Sequence, residues 1–424
     1  MAPIKKFQDK KRIPHRRKES LLLGILGMSI FSTIFCYTYV INTPLTPSDF
    51  PTINIITEGE VTQKDYVDCT IELEDKKSSK SVEMIKSKIK LRGRYNAKYL
   101  PKKGYRIELS KEESFLGMRK DDDWILLAMY SDLNHIQTKL SFDLYRSLLR
   151  SNPTAILPDS EFVCLNLNGE FQGLYLLTEK NDRRLFGLDD AQNSVFSSLI
   201  IQSSYAHENF ALYLNEDWEQ DWPNEYDGIH IMDKIMSDLV SFIRDTPDEE
   251  FFDEKSGVYS IFDELNLIDF FIFNFFILHD DFWDHNYFIV RNTYPNKFFL
   301  VPWDFDRCFG QWLTRNSNPY TNDEDFIRSN NELIKRLLDN PIFRNKTNRR
   351  WTQLRTELWT EEYILDIVSD IYDKIMVVLK MDSSKWYPWL FGDDYEERVE
   401  ESIDWLYEWI PERLEFCDSY FATE

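Results

Sequence analysis

Acidic and amide side chains between Asp281 and Asp306 include the residue types that phosphate chemistry requires. Asp281 is followed at the fifth position by Asn286, and Asp304 and Asp306 come further along the chain. A carboxylate can accept the proton of an attacking hydroxyl, whereas an amide oxygen and further carboxylates can bind Mg²⁺ beside a triphosphate. The spacing predicts a phosphoryl-transfer site in which Asp281 accepts the proton. Asn286 and Asp304 would hold Mg²⁺, and Asp306 would hold a second ion or shape the loop.

Apolar segments lead directly into both acidic loops. Leu267–Leu278 runs up to the first loop, and two strand-like runs, Tyr287–Arg291 and Phe298–Val301, separate it from the second. Either loop alone would also fit a solvated acidic surface, since 73 of the 424 residues are acidic. Carboxylates placed directly after buried elements are more often held for chemistry. An Asp, an Asn, a hairpin and a metal-binding Asp are also the order of parts in protein-kinase sites.

A basic segment, Leu91–Leu109, contrasts with the acidic chain around it. Its cationic residues are Arg92, Arg94, Lys98, Lys102, Lys103 and Arg106. A strand that ends in a basic loop, followed by a strand that starts with lysine, could cover and neutralise phosphates. We therefore expect Arg92 and Arg94 to bind the nucleotide. Lys102 or Lys103 would neutralise charge during catalysis, and a solvated basic turn is the alternative.

The strand Gly173–Thr178 ends where the character of the chain changes, at Glu179. Its backbone could hydrogen-bond the edge of a purine. Leu177, Thr178 and Glu179 are therefore predicted to contact the nucleotide, and an ordinary hairpin strand is the alternative.

The pattern of the chain differs on the two sides of this point. Residues 51–178 are mainly strand-like, with a hairpin signal at Asn168 and Gly169. Residues 179–424 are mainly helical. We expect an α+β, two-lobed protein-kinase-like fold, with a β-rich N-lobe, a helical C-lobe and the cleft between them.

The first 50 residues suggest a membrane anchor. Residues 1–19 carry eight Lys or Arg against two acidic residues, and Ser20–Asn42 is mostly apolar and uncharged. This pattern predicts a basic cytoplasmic tail, a transmembrane signal-anchor helix at 20–42, a stalk at 43–50 and the main domain on the extracytoplasmic side. A cleavable signal peptide would have a shorter apolar run and a small-residue cleavage site.

Composition excludes several classes of function. The net charge of −23 argues against a nucleic-acid partner, because phosphate backbones require basic surfaces. The five cysteines have neither CxxC pairs nor zinc spacing, which argues against a metal cluster held by cysteine.

Ordered motifs resemble those of the CotH kinase family, atypical kinases named for a bacterial spore-coat protein. The resemblance spans about residues 51–420, and its ordered motifs are specific when taken together. The matching segments are Arg92-Gly93 with Pro101–Arg106, Trp124–Asp132, Leu167–Glu179, Asp281 to Tyr287, Pro302–Gly310 and Arg413. Two segments depart from the family pattern, at Tyr95–Ala97 and at His279-Asp280.

The resemblance implies transfer of the ATP γ-phosphate to protein hydroxyls, Ser or Thr, with Mg²⁺ or Mn²⁺. It implies Asp281 as the catalytic Asp and Asp304 as the metal Asp. The predicted function is thus a membrane-anchored protein kinase. The alternatives are an inactive, membrane-tethered pseudokinase acting as a coat or adhesion module, a nucleotide transferase on the same site, and a metal hydrolase.

Overall fold

The computed structural model describes residues 49–422, apart from 78–80, 94, 205–208 and 225–227. For Tyr95 and Asn96 it describes the backbone alone. All of these residues belong to one compact unit that starts at Thr46.

The predicted membrane localisation is contradicted and is withdrawn. Within the described part of the chain, no helix combines the length and the apolar character needed to cross a bilayer. The predicted span Ser20–Asn42, the tail before it and residues 43–48 of the stalk lie outside the described residues.

A closed β-barrel forms the first half of the described chain, in the order β1-β2-β3-β4-β5-β7-β6. β1 and β6 close it as a parallel pair, and the other neighbours are antiparallel. Alternate residues of each strand point inward and form an apolar interior. The strands are β1 (Thr52–Thr57), β2 (Val67–Glu74), β3 (Val82–Arg92), β4 (Gly104–Glu113), β5 (Asp121–Leu127), β6 (Ser160–Leu167) and β7 (Glu170–Glu179).

Two positions in the β6–β7 hairpin require particular residue types, the turn between the strands and Gly173 within β7. Asn168 and Gly169 both have positive φ, at 53° and 80°, as the sequence signal requires. Gly173 has φ 115°, and a Cβ there would lie 2.1 Å from Asp382 Oδ1. Glycine is therefore required where a helix of the second half packs against β7.

The second half contains a smaller sheet surrounded by helices, and the predicted α+β class is confirmed. The sheet has the order β11-β10-β8-β9. Its strands are β8 (Leu199–Ser203), β9 (Trp218–Trp222), β10 (Tyr287–Arg291) and β11 (Phe299–Pro302), and β12 (Gln311–Trp312) pairs separately with β13 (Arg315–Asn316).

Helices flank both sheets. Within the barrel half they are α1 (Tyr95–Tyr99) and α2 (Gln137–Ser147). In the second half they are α3 (Met232–Asp245), α4 (Asp248–Phe251), α5 (Val258–Ile261), α6 (Glu264–Phe276), α7 (Glu324–Asn330), α8 (Glu332–Asp339), α9 (Pro341–Glu357), α10 (Glu361–Trp386), α11 (Pro388–Phe391) and α12 (Tyr395–Phe421).

The central helix α6 determines where the first acidic loop begins. Asp263 caps its N-terminus by accepting a hydrogen bond from the backbone of Asn266 at 2.8 Å. At its other end, the buried guanidinium of Arg413 donates to the carbonyls of Phe275 and Phe276. A cation that bonds the last carbonyls stabilises a helix C-terminus. Arg413, from α12, therefore fixes the end of α6.

Glu324 holds α12 against α7 and α9. Its carboxylate accepts hydrogen bonds from Arg328 and Arg344 and, at 2.6 Å, from the Tyr420 hydroxyl. Burial alone would raise the pKa of Glu324. The hydrogen bonds from Arg344, Tyr420 and Arg328 outweigh burial and lower this pKa to about 2.

This depressed pKa predicts a loss of stability in acid. Between pH 4.5 and about 2 the unfolded chain binds more protons at Glu324 than the folded chain, so the stabilisation is complete above pH 4.5 and falls as the pH drops. Glu324→Gln should lower the free energy of unfolding by about 1–3 kcal/mol at pH 7, and by less at pH 3. Urea unfolding would measure the difference, with the exposed neighbour Asp325→Asn as control. A difference that stays constant with pH would contradict this account.

Candidate active site

The two sheets border a cleft of about 770 Å³. One wall comes from the barrel strands β3, β4 and β5, and the opposite wall from β8, β9 and β10. The lining side chains include the apolar Ile125, Ile200, Phe288 and Trp303 and the polar Arg92, Arg106, Lys180 and Asn181. Acidic side chains line it too, namely Glu112, Asp123, Asp182, Glu219 and Asp221. The cleft therefore combines an apolar slot with groups of both charges.

A smaller cavity of about 50 Å³ adjoins the cleft, since Arg92 and Trp303 line both. Asp304 and Asp306, which follow β11, line this cavity as well. The Asp304 side chain is exposed to solvent at the cavity, but desolvation by the protein around it raises its pKa, and the charge of Asp281 adds to the effect while Arg92 opposes it. Burial and the charges of Asp304 and Asp281 raise the pKa of Asp306 well above its usual value. The three carboxyl groups are thus close enough to repel one another.

Asn286 ties the two acidic loops together. It has φ 64°, and its side-chain Nδ2 donates to the carbonyl of Asp281 at 2.6 Å. Its own carbonyl accepts from the backbone of Trp303 at 2.8 Å, one residue before Asp304. The side-chain amide oxygen of Asn286, the atom type that binds Mg²⁺, is left for another partner.

Asp281 lies between the side chains of Arg307 and His285 and is partly exposed. Arg307 Nη1 lies 3.3 Å from Asp281 Oδ1, and His285 Nε2 lies 3.4 Å from the same oxygen. The other ring nitrogen of His285 is 2.6 Å from Asp284 Oδ1. Burial lowers the pKa of His285, but Asp284, Asp281 and Asp304 outweigh burial and raise it above its usual value. These neighbours hold the Asp281 carboxylate in place.

His279 makes a second connection between the loops. It is fully buried, and its Nε2 lies 2.9 Å from the carbonyl of Asp304. Burial lowers the pKa of His279 to about 3, so the ring is neutral at physiological pH. The other ring nitrogen, Nδ1, lies 3.3 Å from Asn274 Oδ1, so the shorter contact with the Asp304 carbonyl favours the proton of the neutral ring on Nε2. His279 is therefore a structural hydrogen-bond donor that positions Asp304.

The family model described as CotH kinase protein matches residues 89–417. This chain belongs to the CotH kinase family. It is 25% identical over 328 residues to inner spore coat protein H of Bacillus subtilis (strain 168), covering 76% of this chain and 83% of that protein. The resemblance seen in the sequence is thus confirmed, and the family supports an atypical kinase.

Two kinases of known structure show low similarity to this chain in sequence and in structure. The proinflammatory kinase CtkA of Helicobacter pylori matches with 10% identity and a TM-score of 0.25, over 74% of this chain and 94% of that one. The golgi casein kinase matches with 12% identity and a TM-score of 0.27, over 93% of this chain and 77% of that one. The family assignment does not depend on either.

In this CotH family member, the two predicted catalytic lysines have structural partners. Lys102 is fully buried, and its Nζ lies 2.6 Å from both Asp382 Oδ1 and the carbonyl of Leu174. Lys103 Nζ donates to the carbonyls of Ala97 and Leu100. Neither lysine lines the cleft. The expectation that one of them neutralises phosphate charge is corrected, because protein acceptors already occupy both ammonium groups.

Arg92 lies where a phosphate-binding cation is expected. It is partly buried at the end of β3, and its guanidinium carbon lies 5.7 Å from the ring centre of Trp303. Burial lowers the pKa of Arg92 to about 10, and the charge of Asp304 opposes this shift. Arg94, predicted to act with it, lies outside the described residues. Arg106, from β4, also lines the cleft.

The predicted purine contacts on β7 are already used by the barrel. Leu177 and Thr178 pair with β5 on one side and β6 on the other, so the ladder occupies their backbone groups. The Glu179 carboxylate accepts from the backbones of Arg119 and Asp159 at 2.9 and 3.0 Å. The prediction that these three residues bind the nucleotide is corrected for this reason.

The donors at the acidic loops fit a divalent cation that is completed by phosphates. In the part of the chain that the structure describes, no three His, Cys, Asp or Glu side chains converge on a common metal position. Mg²⁺ is usually held by one or two carboxylates together with substrate phosphates and water. Asp304, Asp306 and Asn286 carry the carboxylate and amide oxygens that such a site uses.

Sequence reasoning missed three groups at this site. His279 and Arg307 belong to the acidic loops themselves, where their types could have suggested a hydrogen bond and an ion pair. Asn181 lies two residues beyond the strand that was expected to border the nucleotide.

Proposed function

We propose that this chain transfers the γ-phosphate of ATP to Ser or Thr hydroxyls of a protein, with Mg²⁺ or Mn²⁺. The barrel would act as the N-lobe and the helical half as the C-lobe of a two-lobed kinase. The observation that supports this most is the position of the Asp304 and Asp306 carboxyl groups beside Arg92 in the cavity that adjoins the cleft, where desolvation and the charge of Asp281 raise the pKa of both. Such perturbed carboxyl groups in a cleft are typical of catalytic sites.

The roles follow from the positions of the groups. The Asp281 carboxylate takes the proton of the acceptor hydroxyl, whose oxygen forms a bond to the γ-phosphorus. The bond from that phosphorus to the β–γ bridging oxygen breaks, and ADP leaves with the electron pair. Mg²⁺, when bound, would neutralise phosphate charge. Asp304, Asp306 and Asn286 would hold it, and Arg92 would bind the phosphates.

The test is transfer of γ-labelled phosphate to a generic protein acceptor with Mg²⁺ or Mn²⁺. Asp304→Asn should reduce this transfer by at least about 100-fold, because it removes a charge that holds the metal against the phosphates. Asp366→Asn, an equal charge change at an exposed position on α10, should leave the rate within about two-fold. Equal activity of Asp304→Asn and the unchanged protein would contradict the metal assignment.

Other outcomes separate the remaining functions. Absence of transfer, together with stabilisation by Mg-ATP, would identify a nucleotide-binding pseudokinase. At 100 times Kd that stabilisation amounts to about 2.7 kcal/mol. Label transfer from the α-position alone would indicate a nucleotide transferase. Neither transfer nor stabilisation would overturn the proposal.

A further inference from the structure

Asn181 is a buried amide with unused hydrogen-bonding capacity in the wall of the large cleft. Asn181 is 6% exposed, and neither its Oδ1 nor its Nδ2 has a hydrogen-bond partner among the described residues. Buried amides are normally paired, because desolvation without a hydrogen bond is unfavourable. The residue lines the cleft, so a turn of its side chain toward a ligand bound there would supply the missing partners.

The surroundings of Asn181 indicate what that ligand looks like. Arg106 on β4, Ile125 on β5 and Thr178 on β7 lie in register, so their side chains share the outer face of the barrel. Asn181 lies two residues beyond the end of β7, the strand that carries Thr178. Ile200 from β8, together with Phe288 and Trp303, faces it across the cleft. A flat ligand with apolar faces and a polar edge fits such a slot.

We propose that the Asn181 side chain binds the adenine base of ATP. Adenine presents an amino donor beside a ring-nitrogen acceptor, and an amide can satisfy both at once. Oδ1 accepts from the amino group, and Nδ2 donates to the ring nitrogen. The apolar slot covers the base, and Arg106 and Arg92 lie where the phosphates continue toward Asp304. The inference rests on the proposed nucleotide binding but does not require catalysis.

Recognition by a side chain is needed here because the neighbouring backbone is not available. β7 lies inside the closed barrel, with β5 on one side and β6 on the other. Leu177 and Thr178 therefore have no free strand edge to offer a purine. The first residues beyond the ladder are Lys180 and Asn181, and both line the cleft.

The test exchanges the Asn181 amide for groups of similar size. In Asn181→Asp, a carboxylate accepts at both oxygens, which suits the two adjacent donors of guanine and only one donor of adenine. The affinity of the whole protein for Mg-ATP should fall by about 10- to 100-fold, whereas Mg-GTP should bind as well as before or better. Isothermal titration with both nucleotides measures the two constants. Asn224→Asp adds the same charge in the same cleft and should leave the ratio of ATP to GTP affinity unchanged.

A second variant separates loss of nucleotide binding from loss of folded structure. Asn181→Leu removes two buried polar atoms that lack partners, so the nucleotide-free protein should melt at the same temperature or higher. Its affinity for Mg-ATP should nevertheless fall by about 10-fold or more. If both variants bind Mg-ATP like the unchanged protein, base recognition by Asn181 is overturned while the kinase proposal stands. If the unchanged protein itself fails to bind Mg-ATP, both proposals are overturned.

Discussion

Replacing Asp281 with asparagine should reduce phosphate transfer by about 10²- to 10⁴-fold and leave nucleotide binding nearly unchanged. The variant keeps the shape of the side chain but cannot take the proton of the acceptor hydroxyl, which is the usual contribution of a general base. Arg307 and His285 would still hold the side chain close to its position. Initial rates with γ-labelled ATP, beside the shift in melting temperature caused by Mg-ATP, separate the two effects.

The neighbouring residue provides a matched control. Asp280 is an exposed carboxyl that lines a different cavity, beside Arg307 and Trp312. Asp280→Asn removes the same charge one position away and should change the rate by less than about five-fold. Loss of activity in Asp280→Asn with an active Asp281→Asn would move the catalytic role to Asp280. Equal rates in all three proteins would exclude a general base in this loop.

Breaking the buried ion pair between Lys102 and Asp382 should have the largest effect on stability. Lys102→Met removes a cation and leaves the Asp382 carboxylate without it in the interior, a change that typically costs about 3–5 kcal/mol. Asp382 is fully buried, and it also accepts from the backbone of Leu174 at 2.7 Å and lies 3.2 Å from His135 Nε2. Urea unfolding followed by tryptophan fluorescence would measure the change.

Lys103 distinguishes this structural role from a catalytic one. Lys103→Met loses hydrogen bonds to two carbonyls in a partly exposed turn, so we expect a cost of about 1 kcal/mol. Two variants of similar chemistry at adjacent positions should thus differ by several-fold in destabilisation. If Lys102→Met were as stable as the unchanged protein but bound Mg-ATP weakly, Lys102 would face the nucleotide after all.

Sequence patterns predicted the elements that depend on a few neighbouring residues. The Asn168-Gly169 hairpin and the apolar helix that leads to the first acidic loop are both present, because turn chemistry and apolar runs act over a few residues. The position of Asp281 relative to Asn286 was also readable, since the loop is short. The burial of Lys102 was not readable, because its partner Asp382 lies 280 residues away.

Closure of the barrel was likewise beyond local reasoning. The pairing of β1 with β6 is parallel and joins segments separated by more than one hundred residues. The second edge of β7 is covered by β5, which precedes α2 and β6 in the chain. The short strands β8 and β9 were missed as well, because β9 pairs only with β8, and the other partner of β8, β10, comes much later in the chain. The base-binding expectation for Leu177–Glu179 failed for this topological reason.

The contact of Arg413 with the end of α6 has a consequence for the order of events during synthesis. The guanidinium reaches the Phe276 carbonyl across 137 positions of sequence. A ribosome would have to release most of the helical half before the loop that carries Asp281 gains its support, because domains fold only as their parts emerge. In a nascent chain the loop that carries Asp281 would therefore gain its support only after α12 has docked, when translation of the helical half is nearly finished.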